Sequence, residues 1–398
     1  MKNASEVNEE YRVLLDFGTQ PVSSNFRKSK TAECKTLPIH LVQDIQTGII
    51  RLDPPPPREL LIHPSRPIAP NEPELHLDEL VKNILSQRRF SNKPTVVGIS
   101  EKDKSLVARF SNLGWDSWML DCVADLDLSR EHSVESIPEA LTEECARRIV
   151  EKRGRADLVV ARHIWEHTAN HSVFAAGLKE LLTNDGLILL EVPDCLSMLE
   201  LNDYTMIWEE HLFYFTHKTF LDSLKSFGLH PELSYQFATN QEDVSVAVVC
   251  QADFKTSPRS SIAPQKILDL GLSYSDNFPR QKARVHDLLG SFKRRGDIGI
   301  VGAGHLTVAF VNYLELTDLI DFALDDHSSK QGMFLPGTEI SIFSPKLFQD
   351  RDISLLLVGI NPPSSEKLIE RLQYETSQVF DWFSIFPRGT KCLPIFSD

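Results

Sequence analysis

DLVVARHIWEH (157–167), GLILLEVPD (186–194) and IWEEHLFYFTHKT (207–219) decide how this chain is read. Residues 158–161 and 187–192 are short apolar runs bounded by polar residues, the pattern of strands buried on both faces of a parallel sheet. His163, Glu166 and His167 follow the first run; Glu191 and Asp194 end the second; Glu209, Glu210 and His211 come soon after. In an open α/β sheet ligands sit beyond the carboxyl ends of the strands. These acids and imidazoles are therefore expected at one rim.

Outward from that stretch the same grammar repeats. PTVVGIS (94–100) and residues 117–121 read as strands, and residues 75–86, 104–114 and 137–152 as helices, the last with an acid-rich start that suits a helix N-terminus. A helix at 173–182, a turn at Asn184-Asp185-Gly186, a helix at 218–227 and a strand at 244–251 complete the unit. A linker (253–264) and a long helix (265–294) lead to a second unit, DIGIVGAGHLTVAFVNYL (297–314), DLIDFALDD (318–326) and ISLLLVGINPPSSEKLIERL (353–372). Residues 1–75 look irregular, with short strands at 13–18 and 40–52, then Pro54–Pro57 and prolines at 64, 67, 70 and 73 in an extended connector. Strands alternating with helices indicate doubly wound sheets. The expected fold class is α/β, with two tandem Rossmann-like doubly wound domains (76–252 and 253–398) preceded by a small irregular or β N-terminal domain (1–75).

At 398 residues the chain exceeds one ordinary core. A net charge of −14 argues against nucleic-acid binding and against an anionic membrane surface, because both need a basic face. No run approaches the roughly 20 apolar residues of a membrane span. The start, MKNASEVNEEY, lacks the apolar core of a signal peptide, and the six cysteines form no CxxC pair. A cytoplasmic protein with reduced thiols is expected.

Gly302 and Gly304 follow a strand and open a helix, with Asp325 about 20 residues on, which fits either a dinucleotide turn or a tight βα turn with no ligand. Lys330, in KQGMFLPGT (330–338), suits a phosphate contact or a solvated surface. The pairs His163/His167 and Glu166/His211 invite a metal reading, but HExxH is absent and no third ligand is marked, so no metal is expected. A general base with carboxylate support is the sharper reading of this cluster.

RADLVVARHIWEH (155–167), GLILLEVP and IWEEHLFYF together resemble the sugar C-methyltransferase family, and VGAGHLTVAFVNY (301–313) and DDHSSKQGMFLPGTEISIFSP (325–345) continue the resemblance over nearly the whole chain. It implies a small zinc-binding N-terminal domain, a central S-adenosylmethionine (SAM) domain and a C-terminal Rossmann-like domain. It further implies methylation of a carbon beside the ketone of a nucleotide-linked 4-keto-6-deoxyhexose. By the resemblance His211 is the base, Glu210 its carboxylate neighbour, and His163 an active-site histidine. Ser100, Asp103 and Asp121 fall at the SAM site, and Trp208, Gly302, Gly304 and Lys330 toward the substrate.

The chain departs from the family at several of these positions. Asp44 and Thr47 stand where a cysteine pair is expected, and SEVNEEYR (5–12) has no cysteine for the other pair, so no zinc is expected. Ser100 and Lys104 replace loop glycines and are expected to crowd the methionine end of SAM. Trp208 replaces a tyrosine, residues 240–243 lack the glycines of a substrate loop, and LLIHPSRP (60–67) lacks a tyrosine. Three readings stay open: a SAM-dependent C-methyltransferase, an enolising epimerase or isomerase without SAM, and an inactive binding or scaffold protein.

Overall fold

Three sheets arise from the patterns above. A computed structural model describes residues 10–61, 74–90, 92–239, 243–250, 264–345, 351–360, 362–376 and 380–396. The prolines at 64, 67, 70 and 73, most of the linker, and residues 240–242 lie outside the described residues.

The N-terminal strands β1 (Tyr11–Pro21), β2 (Thr36–Asp44) and β3 (Ile50–Leu52) pair antiparallel. Leu37, Ile39 and Leu41 alternate along β2 and are buried, as a one-faced strand requires. Asp44 Oδ1 closes the β2–β3 turn by accepting the N–H groups of Gln46 (2.9 Å) and Thr47 (2.7 Å). The two positions where the resemblance places a cysteine pair thus form a hydrogen-bonded turn.

The central unit runs α1 (His76–Gln87), β4 (Thr95–Gly98), α2 (Lys104–Asn112), β5 (Asp116–Met119), α3 (Ser136–Ala140), α4 (Glu143–Arg153), β6 (Ala156–Arg162), α5 (His171–Glu180) and β7 (Leu182–Pro193). It continues through α6 (Leu196–Leu201), β8 (Phe213–Tyr214), α7 (His217–Ser226), β9 (His230–Ala238) and β10 (Asp243–Cys250). The strand order is β5-β4-β6-β7-β10-β9, with the first four parallel and β10 reversed. Val159, Ala161, Ile188 and Leu190 pack on one face against α4, α5 and α7. Leu158, Val160, Leu187 and Leu189 pack on the other against α1 and α2. The third unit runs α8 (Pro264–Lys293), β11 (Asp297–Val301), α9 (His305–Tyr313), β12 (Phe322–Leu324), β13 (Ile342–Phe343), β14 (Ile353–Val358), α10 (Pro362–Thr376) and β15 (Asp381–Ser384). Its sheet is all parallel, in the order β13-β12-β11-β14-β15.

Two local expectations are corrected. The helix expected over 137–152 is two helices, broken where Thr142 turns extended and its Oγ1 accepts the Cys145 N–H at 3.1 Å. The break fits because α5 carries glycine at 177, where a Cβ would lie 2.0 Å from the Leu141 carbonyl oxygen. The turn expected at 184–186 is an irregularity within β7. Strand β9 was not foreseen: it is a partly exposed edge strand without a continuous apolar run.

The sheets are tied together. β8 pairs with β3, so residues 213–214 complete the N-terminal sheet from inside the central unit. Tyr204 OH donates to the Tyr274 carbonyl (2.7 Å), Tyr313 OH to that of Ile207 (3.1 Å), and Phe17 stacks on Tyr313 at 4.2 Å. Among the described residues no helix is long and apolar enough to cross a membrane.

Candidate active site

The central strand order reverses direction between β4 and β6, the position at which open α/β sheets hold ligands. Asp103 follows β4 and is fully buried. Its Oδ2 accepts the N–H groups of Ile99 and Ser100, and its Oδ1 that of Arg162, each at 2.8 Å. Burial pushes this carboxyl up to about 7 against those donors and the Arg162 charge. Ser100 is the N-cap of the turn that carries Asp103, with its buried Oγ in capping-box geometry toward the Asp103 N–H. Lys104 pairs with Glu101 at 2.5 Å, with both side chains more than half exposed. Asp121, beyond β5, is exposed; its Oδ1 accepts the N–H groups of Val123 (2.9 Å) and Ala124 (3.0 Å), which hold its carboxyl below the usual range.

Arg162, the last residue of β6, is 1% exposed and spends every nitrogen on the surrounding loops. Its Nε donates to Glu191 (2.8 Å), Nη2 to Glu74 (2.7 Å), and Nη1 to the Lys102 carbonyl (2.8 Å) and Ser105 Oγ (3.2 Å). Glu191 also meets His163 (3.1 Å) and His76 (3.2 Å). Burial opposes its ionisation, but Arg162, His163 and His76 hold it well below the usual carboxylate range. His163 takes a left-handed φ of 48°, an uncommon conformation for a residue other than glycine and one that clusters at functional sites.

The second half of the rim joins the β6 end to the loop before β8. His167 Nδ1 lies 3.0 Å from buried Glu135, and Glu210 stands with Glu135 against the same ring. Burial disfavours the imidazolium, but the Glu135 hydrogen bond and the charges of Glu166, Glu135 and Glu210 push His167 up to about 9. The ring of His211 meets that of His167 edge-on at 4.8 Å. Burial first, then the positive charges of His167, His305, His163 and Lys102, hold His211 well below its ordinary value. Trp208 lies 5.1 Å from His211 and is anchored by Nε1 donating to Ser23 Oγ at 3.1 Å. Buried Glu209 accepts the Ser23 N–H at 2.6 Å, and burial raises its carboxyl despite that bond. His305, the first residue of α9, stacks on Trp208 at 4.3 Å. All three sheet regions therefore contribute to this rim.

The glycine turn of the C-terminal sheet is closed on itself. Gly302 has φ 90°, and a Cβ there would lie 2.5 Å from Ile360 Cγ2. Asp325 accepts the Ala303 N–H and the His327 N–H, each at 2.8 Å. Lys330 donates to the Ala303 carbonyl at 2.8 Å, lies 3.3 Å from Asp325, and sits over the Phe26 ring. Gly304 is the N-cap of α9, next to His305.

The fold thus brings His163, Trp208, Glu210 and His211 to one place, with Ser100 and Asp103 on an adjoining strand end. Asp121 lies further out at an exposed turn, and Gly302 and Lys330 belong to the neighbouring turn. Glu135, Ser23 and His305 carry no local signal in the sequence; only the fold brings Glu135 across 32 residues to His167.

Residues 81–233 match the family model of a methyltransferase domain, and residues 268–382 that of a C-methyltransferase C-terminal domain. The C-methyltransferase NovU of Streptomyces niveus is 25% identical over 233 residues, covering 55% of this chain and 54% of the relative. The chain thus spans about half the length of the curated relative it matches. Among solved structures, the mitomycin 7-O-methyltransferase MmcR is 16% identical, with 45% of this chain and 57% of that chain covered and a TM-score of 0.29. Magnesium protoporphyrin IX methyltransferase from Synechocystis PCC 6803, with bound SAH, is 13% identical, with 44% and 82% covered and a TM-score of 0.30.

Proposed function

We propose that this chain is a SAM-dependent C-methyltransferase acting beside the ketone of a nucleotide-linked keto-deoxysugar. One observation carries the reading. Two family models of methyltransferase type match in sequence order, and the first of them spans the strand ends where the imidazoles and carboxylates meet.

Bound at the β4–β6 strand ends, SAM would supply an electrophilic methyl group. The residues there fit it. Ser100 offers a buried hydroxyl at the N-cap of the loop, Lys104 is held by Glu101, and Asp121 has only Oδ1 engaged among the described residues. Asp103 would act indirectly, by fixing the loop backbone. A carbon beside a ketone loses its proton only to a positioned base while the enolate oxygen is steadied. His211 is the base in this reading. Glu135 fixes the His167 ring next to it, and Glu210 and Glu166 supply carboxylate support. His163, held by Glu191, faces the substrate side.

The test uses a nucleotide-linked 4-keto-6-deoxyhexose with and without SAM. Mass spectrometry is expected to find one added methyl group, and solvent deuterium is expected beside the ketone. His211→Ala should lower both by about 10²–10⁴-fold. No SAM binding in calorimetry up to millimolar concentration would sink the methyl-transfer reading. Deuterium exchange without methyl transfer would favour the enolising alternative, which keeps the base and needs no methyl donor.

A further inference from the structure

Glu166, His167 and His211 bring three potential metal-donor atoms to one place. One carboxylate oxygen of Glu166 and one ring nitrogen from each histidine all lie within 4.8 Å of one another. Glu166 and His167 are buried, and His211 is partly buried. His167 presents Nδ1 to Glu135 at 3.0 Å, which leaves Nε2 on the side of Glu166, 3.9 Å away. Metal-ligating histidines are held in this way, with the far nitrogen on a carboxylate that fixes the ring and raises its basicity. Two imidazoles and one carboxylate, with further positions open, form a recurring set for zinc and for non-haem iron(II).

A second observation concerns charge. Glu135, Glu166 and Glu210 all approach the His167 ring. Glu135 Oε2 is sealed from solvent and makes no hydrogen bond. Three carboxylates gathered around one buried ring are costly unless positive charge lies among them. The sequence singles out Glu166 with His211 but marks no third ligand; the fold brings His167 into the same set.

We propose that Glu166, His167 and His211 form a site for a zinc-class divalent transition-metal ion, with Glu135 as the outer acceptor that orients His167. Imidazole ligands select such ions over magnesium, which prefers oxygen and water. On the reading of His211 as the base, the ion takes the nitrogen lone pair that would accept the proton. It is therefore a reversible inhibitor.

The site is tested without substrate, on the full chain dialysed against a chelator. Calorimetry with Zn²⁺ alone is expected to give one equivalent bound at micromolar affinity or tighter, and Mg²⁺ alone no heat of binding. Cobalt(II) is expected to give ligand-field bands without thiolate charge transfer, which separates this site from the six free cysteines. Glu135→Gln should weaken zinc by about 10–100-fold, the effect of losing an outer-shell partner. His167→Asn should weaken it further, and circular dichroism checks that each variant is folded. The proposal is overturned by no zinc binding, by thiolate bands in the wild-type cobalt spectrum, or by unchanged affinity in His167→Asn. The wild-type cobalt spectrum decides even if a variant does not fold. Failure of the metal site leaves the methyl-transfer reading standing. Failure of methyl transfer leaves zinc binding standing and removes only the inhibition.

Discussion

Asp103 beyond β4 and Asp325 beyond β12 both accept backbone N–H groups at the parallel strands of two sheets, yet their surroundings differ. Asp103 gathers three backbone N–H groups, and Asp325 gathers two. Around Asp103, the ionisable side chains of the next two strand ends form a connected set from Arg162 and Glu191 to His163, and Glu166 and His167 follow. Around Asp325, the nearby cation Lys330 is folded back onto the turn. Both turns carry charge nearby, one with its loop glycines replaced by Ser100 and Lys104, the other with Gly302 and Gly304 in place. At one the charge faces neighbouring strand ends and at the other the fold consumes it. A charged residue near a glycine turn is evidence of a site only when the turn itself does not use it.

Activity provides the sharpest way to break this contrast. His211→Ala is expected to lower turnover by about 10²–10⁴-fold, the usual size of a lost acid–base group. Lys330→Met should leave turnover within about threefold if its role is to brace the turn. Equal losses in steady-state kinetics would erase the difference between the two regions. The next effect is on stability. Arg162→Met leaves buried Glu191 without its main partner and should cost about 3–5 kcal/mol in urea unfolding. A cost under about 1 kcal/mol, the range of exposed pairs, would mean that the Arg162 network does not hold the central rim.

Acid should weaken the central unit through His171. Burial holds this imidazole down to about 4, with the Trp165 carbonyl bond opposing only in part. The unfolded chain titrates near 6.5 and binds more protons between those values. Stability is therefore complete above about pH 6.5 and falls as pH drops toward 4, by on the order of 3 kcal/mol. In a series of urea midpoints His171→Phe should flatten that slope, and an unchanged slope would assign the acid loss elsewhere. The smallest effect compares the two aspartates directly. Asp103→Ala should cost more than Asp325→Ala by on the order of 1–3 kcal/mol, because it strips the buried Ser100 and Arg162 N–H groups while the His327 N–H freed by Asp325→Ala is exposed to water. Equal costs by thermal unfolding would remove that distinction.

Much of the architecture was legible because apolar runs buried on both faces leave a plain trace. The runs at 158–161, 187–192 and 298–301 are strands β6, β7 and β11 or lie within them. The helix break at Thr142 was not legible, since it depends on the close approach of Gly177 to the Leu141 carbonyl across two helices. At the rim, His163 stood out because polar residues follow an apolar strand, and Glu210 and His211 because of the family resemblance of IWEEHLFYF. Glu135 and His305 did not, because each arrives from a distant segment and has an unremarkable local setting. The direction of Lys104 was equally out of reach. Its salt bridge to Glu101 is set by side-chain geometry on a helix end, not by composition.

The pairing of β3 with β8 has a consequence for synthesis. Residues 50–52 leave the ribosome about 160 residues before residues 213–214, which pair with β3. At roughly 5–20 residues per second that delay is about 8–30 s. Throughout it the nascent N-terminal hairpin presents an unpaired strand edge, the kind of surface that invites aggregation. The segment just after His211 is thus also the cover for that edge, and a truncation between residues 52 and 213 would leave the newborn chain dependent on a chaperone.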